Sequence, residues 1–105
     1  MKTKTLFGAL LASTLLLGVG NAMALDGGQL YMKKTCFGCH GKDAKTPILP
    51  IYPKLAGQNA AYAAQQMRDI KSGKRANGQA AAMKGVMHLV SDEEIDAIAE
   101  WLATQ

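Results

Sequence analysis

Helical spacing of apolar residues is clearest at the end of the chain, where Ile95, Ile98, Ala99 and Leu102 stand at i, i+3, i+4 and i+7. That stripe is how a helix buries one face. Ser91 and Glu94 form a capping box in front of it, and Asp92, Glu93 and Glu94 put negative charge at the positive end of the helix dipole. The pattern predicts a helix from Ser91 to about Ala103, with Trp101 beside its apolar face. A second helix is expected from about Ala60 to Lys71, capped by Asn59, carrying Tyr62, Met67 and Ile70 on related faces and ended by Gly73. Asp26 caps a third, shorter one that continues through Leu30, Tyr31 and Lys34 to Thr35 and runs into Cys36.

The remaining stretches read differently. From Lys74 to Val90 the chain is rich in Gly and Ala without a clear period, and it is expected to be a linker. Between Gly41 and Gln58 lie all three prolines, Pro47, Pro50 and Pro53, with Ile48, Leu49, Ile51 and Tyr52 among them. Proline removes backbone donors and restricts its neighbour, so this is loop. A loop this apolar is expected to cover something greasy, because loops are ordinarily polar and solvated. No segment alternates with period two. The pattern therefore predicts an all-α domain of three to four short helices with long connections, burying too little among themselves to explain the loops.

The first 24 residues stand apart. Lys2 and Lys4 precede an uncharged, Leu-rich run from Leu6 to Gly20, and Ala22-Met23-Ala24 has the small-x-small form of a secretory cleavage site. Residues 1–24 are expected to be a cleaved signal peptide and residues 25–105 the mature domain. The alternative is an uncleaved anchor, since the uncharged stretch from Leu6 to Ala24 is just long enough to span a bilayer; Gly18, Gly20 and Asn21 interrupt it, and no second apolar run follows. The mature chain of 81 residues has 10 basic and 8 acidic side chains, a net +2. That lacks the strongly basic footprint of a nucleic-acid binder. A domain of this size draws only about 3–5 kcal/mol from its core and usually needs a staple.

Its two cysteines, Cys36 and Cys39, are too close in sequence for their own bridge to serve, since short loops gain the least from closure. The segment Cys36-Phe37-Gly38-Cys39-His40 matches C-x-x-C-H, the attachment signature of c-type haem. Residues i, i+3 and i+4 share one face of a helical turn, so both thiols can add to haem vinyl groups while His40 meets the iron. Three other readings compete. A thiol–disulfide oxidoreductase needs strands that the pattern does not show. A zinc site of Cys36, Cys39, His40 and His88 would put two ligands on adjacent residues and lacks the usual second histidine pair. Coincidence is the third, and export, the short all-α chain and the apolar loop each argue for haem against it.

Methionine can take the iron's other axial position. Of six methionines, Met1 and Met23 lie in the leader, Met32 precedes Cys36 on the proximal side and Met67 sits mid-helix. Met83 and Met87 remain, and His88 is read as a solvated loop histidine.

With these residues in view, the chain resembles the small class I cytochromes c. Within that family it is most similar to one haem domain of the dihaem cytochrome c4 type and to monohaem relatives of the cytochrome c553 type. The likeness runs through Cys36 to Gly41, Tyr52-Pro53-Lys54-Leu55-Ala56-Gly57-Gln58, Asp69 to Gly73, Met83-Lys84-Gly85-Val86 and Ser91 to Ile95. It implies crossing N- and C-terminal helices, with Gly28 as the small contact and Tyr31 and Trp101 as the aromatic ones, around one covalent haem in a crevice with an exposed edge. It implies Met83, eight residues before the Ser that opens the last helix, as distal ligand ahead of Met87. It also implies that the Pro53 carbonyl accepts from the outer nitrogen of His40.

The expected function is a soluble, monomeric, periplasmic electron carrier of bacteria and not an enzyme, because a His/Met iron has no position for substrate. Lys33, Lys34, Lys42, Lys45 and Lys54 cluster around the motif in sequence and suit redox partners with an acidic docking face. A ligand-binding or sensing haem domain with a labile Met is the alternative.

Overall fold

The computed structural model describes residues 25–105. The expected signal peptide over residues 1–24 lies outside the described residues. Among the described residues five helices follow one another: α1 (Gly27–Lys33), α2 (Phe37–His40), α3 (Ala60–Ser72), α4 (Ala80–Met87) and α5 (Asp92–Ala103). No strand occurs among the described residues. The class is all-α as expected, with five helices in place of three to four.

Both additions have local causes. The first helix stops at Lys33 and does not run into Cys36, because Thr35 takes a left-handed φ of 65°. A β-branched residue is rarely found there. The strained turn lets the Cys36 N–H reach back to the Tyr31 carbonyl at 3.0 Å, and α2 then starts as a separate turn. The second addition, α4, replaces the linker expected from Lys74 to Val90. Its alanines are the strongest helix formers, and Ala80, Met83 and Met87 repeat at i, i+3 and i+7. Two turns are too short for that period to stand out in a Gly/Ala-rich stretch.

The predicted caps are in place. Asn59 Oδ1 accepts from the Tyr62 N–H at 3.0 Å, and Gly73 ends α3 with φ 88°. Ser91 Oγ accepts from the Glu94 N–H at 3.2 Å while Glu94 Oε1 accepts from the Ser91 N–H at 2.9 Å. Helix α5 buries Ile95, Ile98, Ala99 and Leu102 and packs against both α1 and α3, while α4 packs on α3.

The α1–α5 crossing is closer at Gly27 than at Gly28. A Cβ on Gly27 would stand 2.1 Å from the Ala97 carbonyl oxygen, whereas one on Gly28 would stand 2.8 Å from Trp101 Nε1. The Tyr31 and Trp101 rings meet across the crossing at 4.9 Å, tilted by 40°. The Tyr31 hydroxyl donates to the Gly41 carbonyl at 2.5 Å, tying α1 to the end of the C-x-x-C-H turn. Burial holds that hydroxyl far above its ordinary pKa, so it stays a donor.

The proline loop is stapled by backbone bonds. Leu55 and Ala56 N–H both donate to the Ala44 carbonyl at 3.0 Å, Ile48 N–H to Cys39 at 3.1 Å, and Gly57 N–H to Leu102 at 2.9 Å. Its apolar side chains divide: Tyr52, Pro53, Leu55 and the largely exposed Ile51 line a cleft, while Ile48 and Leu49, also exposed, do not.

Candidate haem site

A cleft of about 450 Å³ opens between the C-x-x-C-H turn, the proline loop, α3 and α4. That is within the range of roughly 300–1,000 Å³ that holds small-molecule ligands. Its walls are mostly apolar, from Met67, Ile70, Val86, Val90, Ile98 and Leu102. Cys36, Cys39 and His40 stand together on one side, and Met83 and Met87 of α4 line the same cleft.

His40 is buried at the end of α2, and its Nδ1 lies 2.8 Å from the Pro53 carbonyl oxygen. A carbonyl can only accept, so Nδ1 carries the proton and Nε2 keeps its lone pair. Burial lowers the imidazole pKa, against a smaller upward pull from the Pro53 carbonyl. The ring is thereby kept neutral, the form in which histidine binds metals.

No disulfide joins Cys36 and Cys39. Burial is the main cause that pushes Cys36 up to about 11, with the nearby Cys39 adding to it. Redox-active C-x-x-C pairs do the opposite and depress a thiol to favour thiolate attack. With no strand among the described residues, the oxidoreductase reading loses its fold, and burial works against a Cys36 thiolate. The four residues weighed for zinc do not converge: His88 is exposed and off the cleft wall, and among the described residues no three His, Cys, Asp or Glu side chains are grouped so that they could hold a metal ion between them.

The two methionines of α4 differ. Met87 is 2% exposed and belongs to the core as well as to the cleft wall, whereas Met83, one turn earlier, is only partly buried. Met67, in the middle of α3, is buried and also lines the cleft, while Met32 is exposed. Among the lysines near the motif, Lys34 is engaged with α5 through Glu94 at 3.3 Å. Lys33, Lys42, Lys45 and Lys54 are exposed and make no ion pair among the described residues.

Two cleft residues had no signal in the sequence. Arg75 and Gln66 line the cleft and meet through Arg75 Nη1 and Gln66 Oε1 at 3.1 Å. Arg75 is exposed and Gln66 half-buried, so they stand at the open rim of the cleft.

The donor set and the walls fit a covalently attached haem. Two thiols stand at the edge of an apolar slot, a buried neutral imidazole has its ring orientation set, and thioether side chains line the same slot. Comparison with known proteins agrees. Residues 24–105 match the family model described as cytochrome c. The chain is 39% identical over 71 residues to cytochrome c-554(548) of Halomonas halodenitrificans, covering 68% of this chain and 84% of that one. It is 43% identical over 70 residues to cytochrome c4 of Pseudomonas aeruginosa, covering 67% of this chain and 33% of that one. The crystal structure of reduced recombinant cytochrome c4 from Pseudomonas stutzeri superposes with a TM-score of 0.64 at 33% identity, over 73% of this chain and 45% of that one. The chain thus spans about a third to a half of the cytochromes c4 it matches.

Proposed function

The chain belongs to the cytochrome c family, whose members are electron-transfer proteins with covalent haem c, and from that premise we propose that it is a periplasmic electron carrier with His/Met-ligated iron. The observation that carries the reading is the buried His40, its ring fixed by Pro53, lining the same cleft as the methionines of α4. In this reading Cys36 and Cys39 hold the haem as thioethers, His40 is the proximal ligand and Met83 the distal one. Bound there, the haem supplies a one-electron couple.

The protein's own residues set the conditions for that couple. Pro53 accepts the Nδ1 proton of His40, which fixes the ring and makes Nε2 a stronger donor to iron. A thioether opposite raises the potential and closes the sixth position. Met83 is one turn from the fully buried Met87, which anchors α4 in the core. That division of labour makes Met83 the side chain able to serve the cleft while Met87 holds the helix. The walls of Ile70, Val86 and Ile98 exclude water, which favours the less charged ferrous state.

Residues 1–24 act as a cleaved leader in this reading, and residues 25–105 form a monomeric carrier. Among the described residues no helix is long and apolar enough to cross a membrane. The exposed Lys33, Lys42, Lys45 and Lys54 favour acidic redox partners through long-range steering.

The test is spectroscopic. Met83→Ala abolishes the weak charge-transfer band of ferric His/Met haem at the red end of the visible spectrum and lowers the potential, while Met87→Ala keeps the band. Loss of the band in Met87→Ala with Met83→Ala unaffected overturns the ligand assignment, and a wild type that lacks the band altogether means the iron carries no methionine.

A further inference from the structure

Leu89 and Val90, the last two of the three residues between α4 and the Ser91 cap of α5, form a short bridge with an unusual set of partners. Their N–H groups turn back into the end of α4, to Val86 at 3.0 Å and Met87 at 3.1 Å. Among the described residues no backbone N–H reaches their carbonyls. Two lysines do so instead. Lys34, in the turn after α1, donates to the Leu89 carbonyl at 2.8 Å while its ammonium also pairs with Glu94. Lys71, in the last turn of α3, donates to the Val90 carbonyl. Neither contact is local, since the pairs are 55 and 19 residues apart.

Lysine side chains are normally left in water because ordering one costs up to about 2 kcal/mol of rotamer entropy. Here two are ordered on consecutive carbonyls, from two separate elements. A hydrogen bond with a charged donor is about twice as strong as a neutral one. The location gives this arrangement its meaning. Helix α4 carries Met83 and Met87, packs on α3 and sinks Met87 into the core, and at its C-terminal end the chain continues through this bridge. At its other end, the residues from Lys74 to Gln79 form no helix.

We infer that Lys34 and Lys71 are positioning residues for the distal side of the cleft: by holding the Leu89 and Val90 carbonyls they fix the end of α4, keep Met83 in place opposite His40, and so exclude outside ligands. The inference rests on Met83 as distal ligand. It adds that two lysines outside the cleft control how firmly that position is closed.

The experiment uses the ferric holoprotein with imidazole as competing ligand, together with amide hydrogen exchange of residues 86–90 read by mass spectrometry. Lys34→Gln and Lys71→Gln each bind imidazole about tenfold more tightly than the wild type, the low end of what a hydrogen bond to a charged group contributes. Exchange in residues 86–90 quickens by a similar factor. Lys34→Arg and Lys71→Arg restore both to within about threefold. Arg68→Gln is the control, because it breaks the Arg68 pairs with Asp92 at 2.8 Å and Asp96 at 2.9 Å that join α3 to α5 without touching the Leu89 and Val90 carbonyls. It lowers the melting temperature without tightening imidazole binding.

Unchanged exchange in both Gln variants overturns the clamp. Faster exchange with unchanged imidazole affinity overturns its role in positioning. Equal tightening in Arg68→Gln reduces the effect to global stability and overturns the inference too. A wild type without the His/Met band refutes the Met83 assignment instead, and the exchange arm still decides whether the lysines hold the bridge.

Discussion

Replacing Gly27 by Ala tests the helix crossing on which the whole domain rests. The added Cβ would lie 2.1 Å from the Ala97 carbonyl oxygen and 2.7 Å from Trp101 Cβ. Carbon and oxygen ordinarily approach to about 3.3–3.6 Å, so the methyl is more than about 1 Å too close to a backbone atom in the middle of α5. Neither helix can yield locally. Relief requires α1 to lift off α5, which loosens the Tyr31–Trp101 contact and the burial of Leu30 and Tyr31. Overpacking typically costs about 1–3 kcal/mol, and the gain in helix propensity from Gly to Ala, at most about 1 kcal/mol, is reduced at the first position of a helix.

A net loss of about 2 kcal/mol is expected. For a domain of this size it lowers the melting temperature by roughly 8–16 °C, at about 4–8 °C per kcal/mol. Gly28→Ala is the internal comparison: its Cβ meets the Trp101 ring, a side chain that can swing, so the cost and the propensity gain nearly cancel within about 1 kcal/mol. Thermal unfolding of the two holoproteins by circular dichroism decides. A Gly27→Ala melting temperature equal to the wild type, or a larger loss in Gly28→Ala, refutes the reasoning.

Three further outcomes follow from the same contacts. Tyr31→Phe leaves the Gly41 carbonyl without its buried donor and destabilises the protein by about 1–3 kcal/mol in denaturant titration; a loss below half that range would mean water replaces the hydroxyl. The Ser91 N–H, with Lys34 beside it, holds the Glu94 carboxylate below the usual range, so its contribution is present above the unfolded value of about 4.3 and is lost as pH falls through the folded one. Glu94→Gln should therefore flatten the acid side of the stability curve, and an unchanged acid slope would count against this. Ferrous protein mixed with carbon monoxide at neutral pH keeps its spectrum while exchanging electrons rapidly with small mediators, as the proposed ligation by Met83 requires; fast stoichiometric binding would favour a ligand-sensing domain.

The covalent chemistry and the fold serve one another. A chain this small buries few large side chains, and several of those it has, Met67, Ile70, Val90 and Ile98 among them, line the cleft as well as forming the core. An apolar cofactor held by two thioethers completes that core and acts as the staple that a disulfide between Cys36 and Cys39 would not provide.

What could be read without the fold was whatever lies within a turn or two of chain. The Ser91–Glu94 box, the Ile95 to Leu102 stripe, the Asn59 cap and the C-x-x-C-H spacing are each complete in a few residues, because capping bonds, helical neighbours and thiol spacing are local geometry. The limits were also local: α4 went unread because two turns of Ala, Gly and Met carry little periodicity, and the break at Thr35 because a strained φ leaves no mark in composition. The tertiary structure alone decided which distant residues meet. Gly27 rather than Gly28 takes the tightest place against Ala97, His40 and Met83 line one cleft, and Lys34 reaches Leu89. Such contacts depend on how α1 and α3 pack against α5, a balance of burial and steric fit summed over the whole domain that no short stretch of sequence contains.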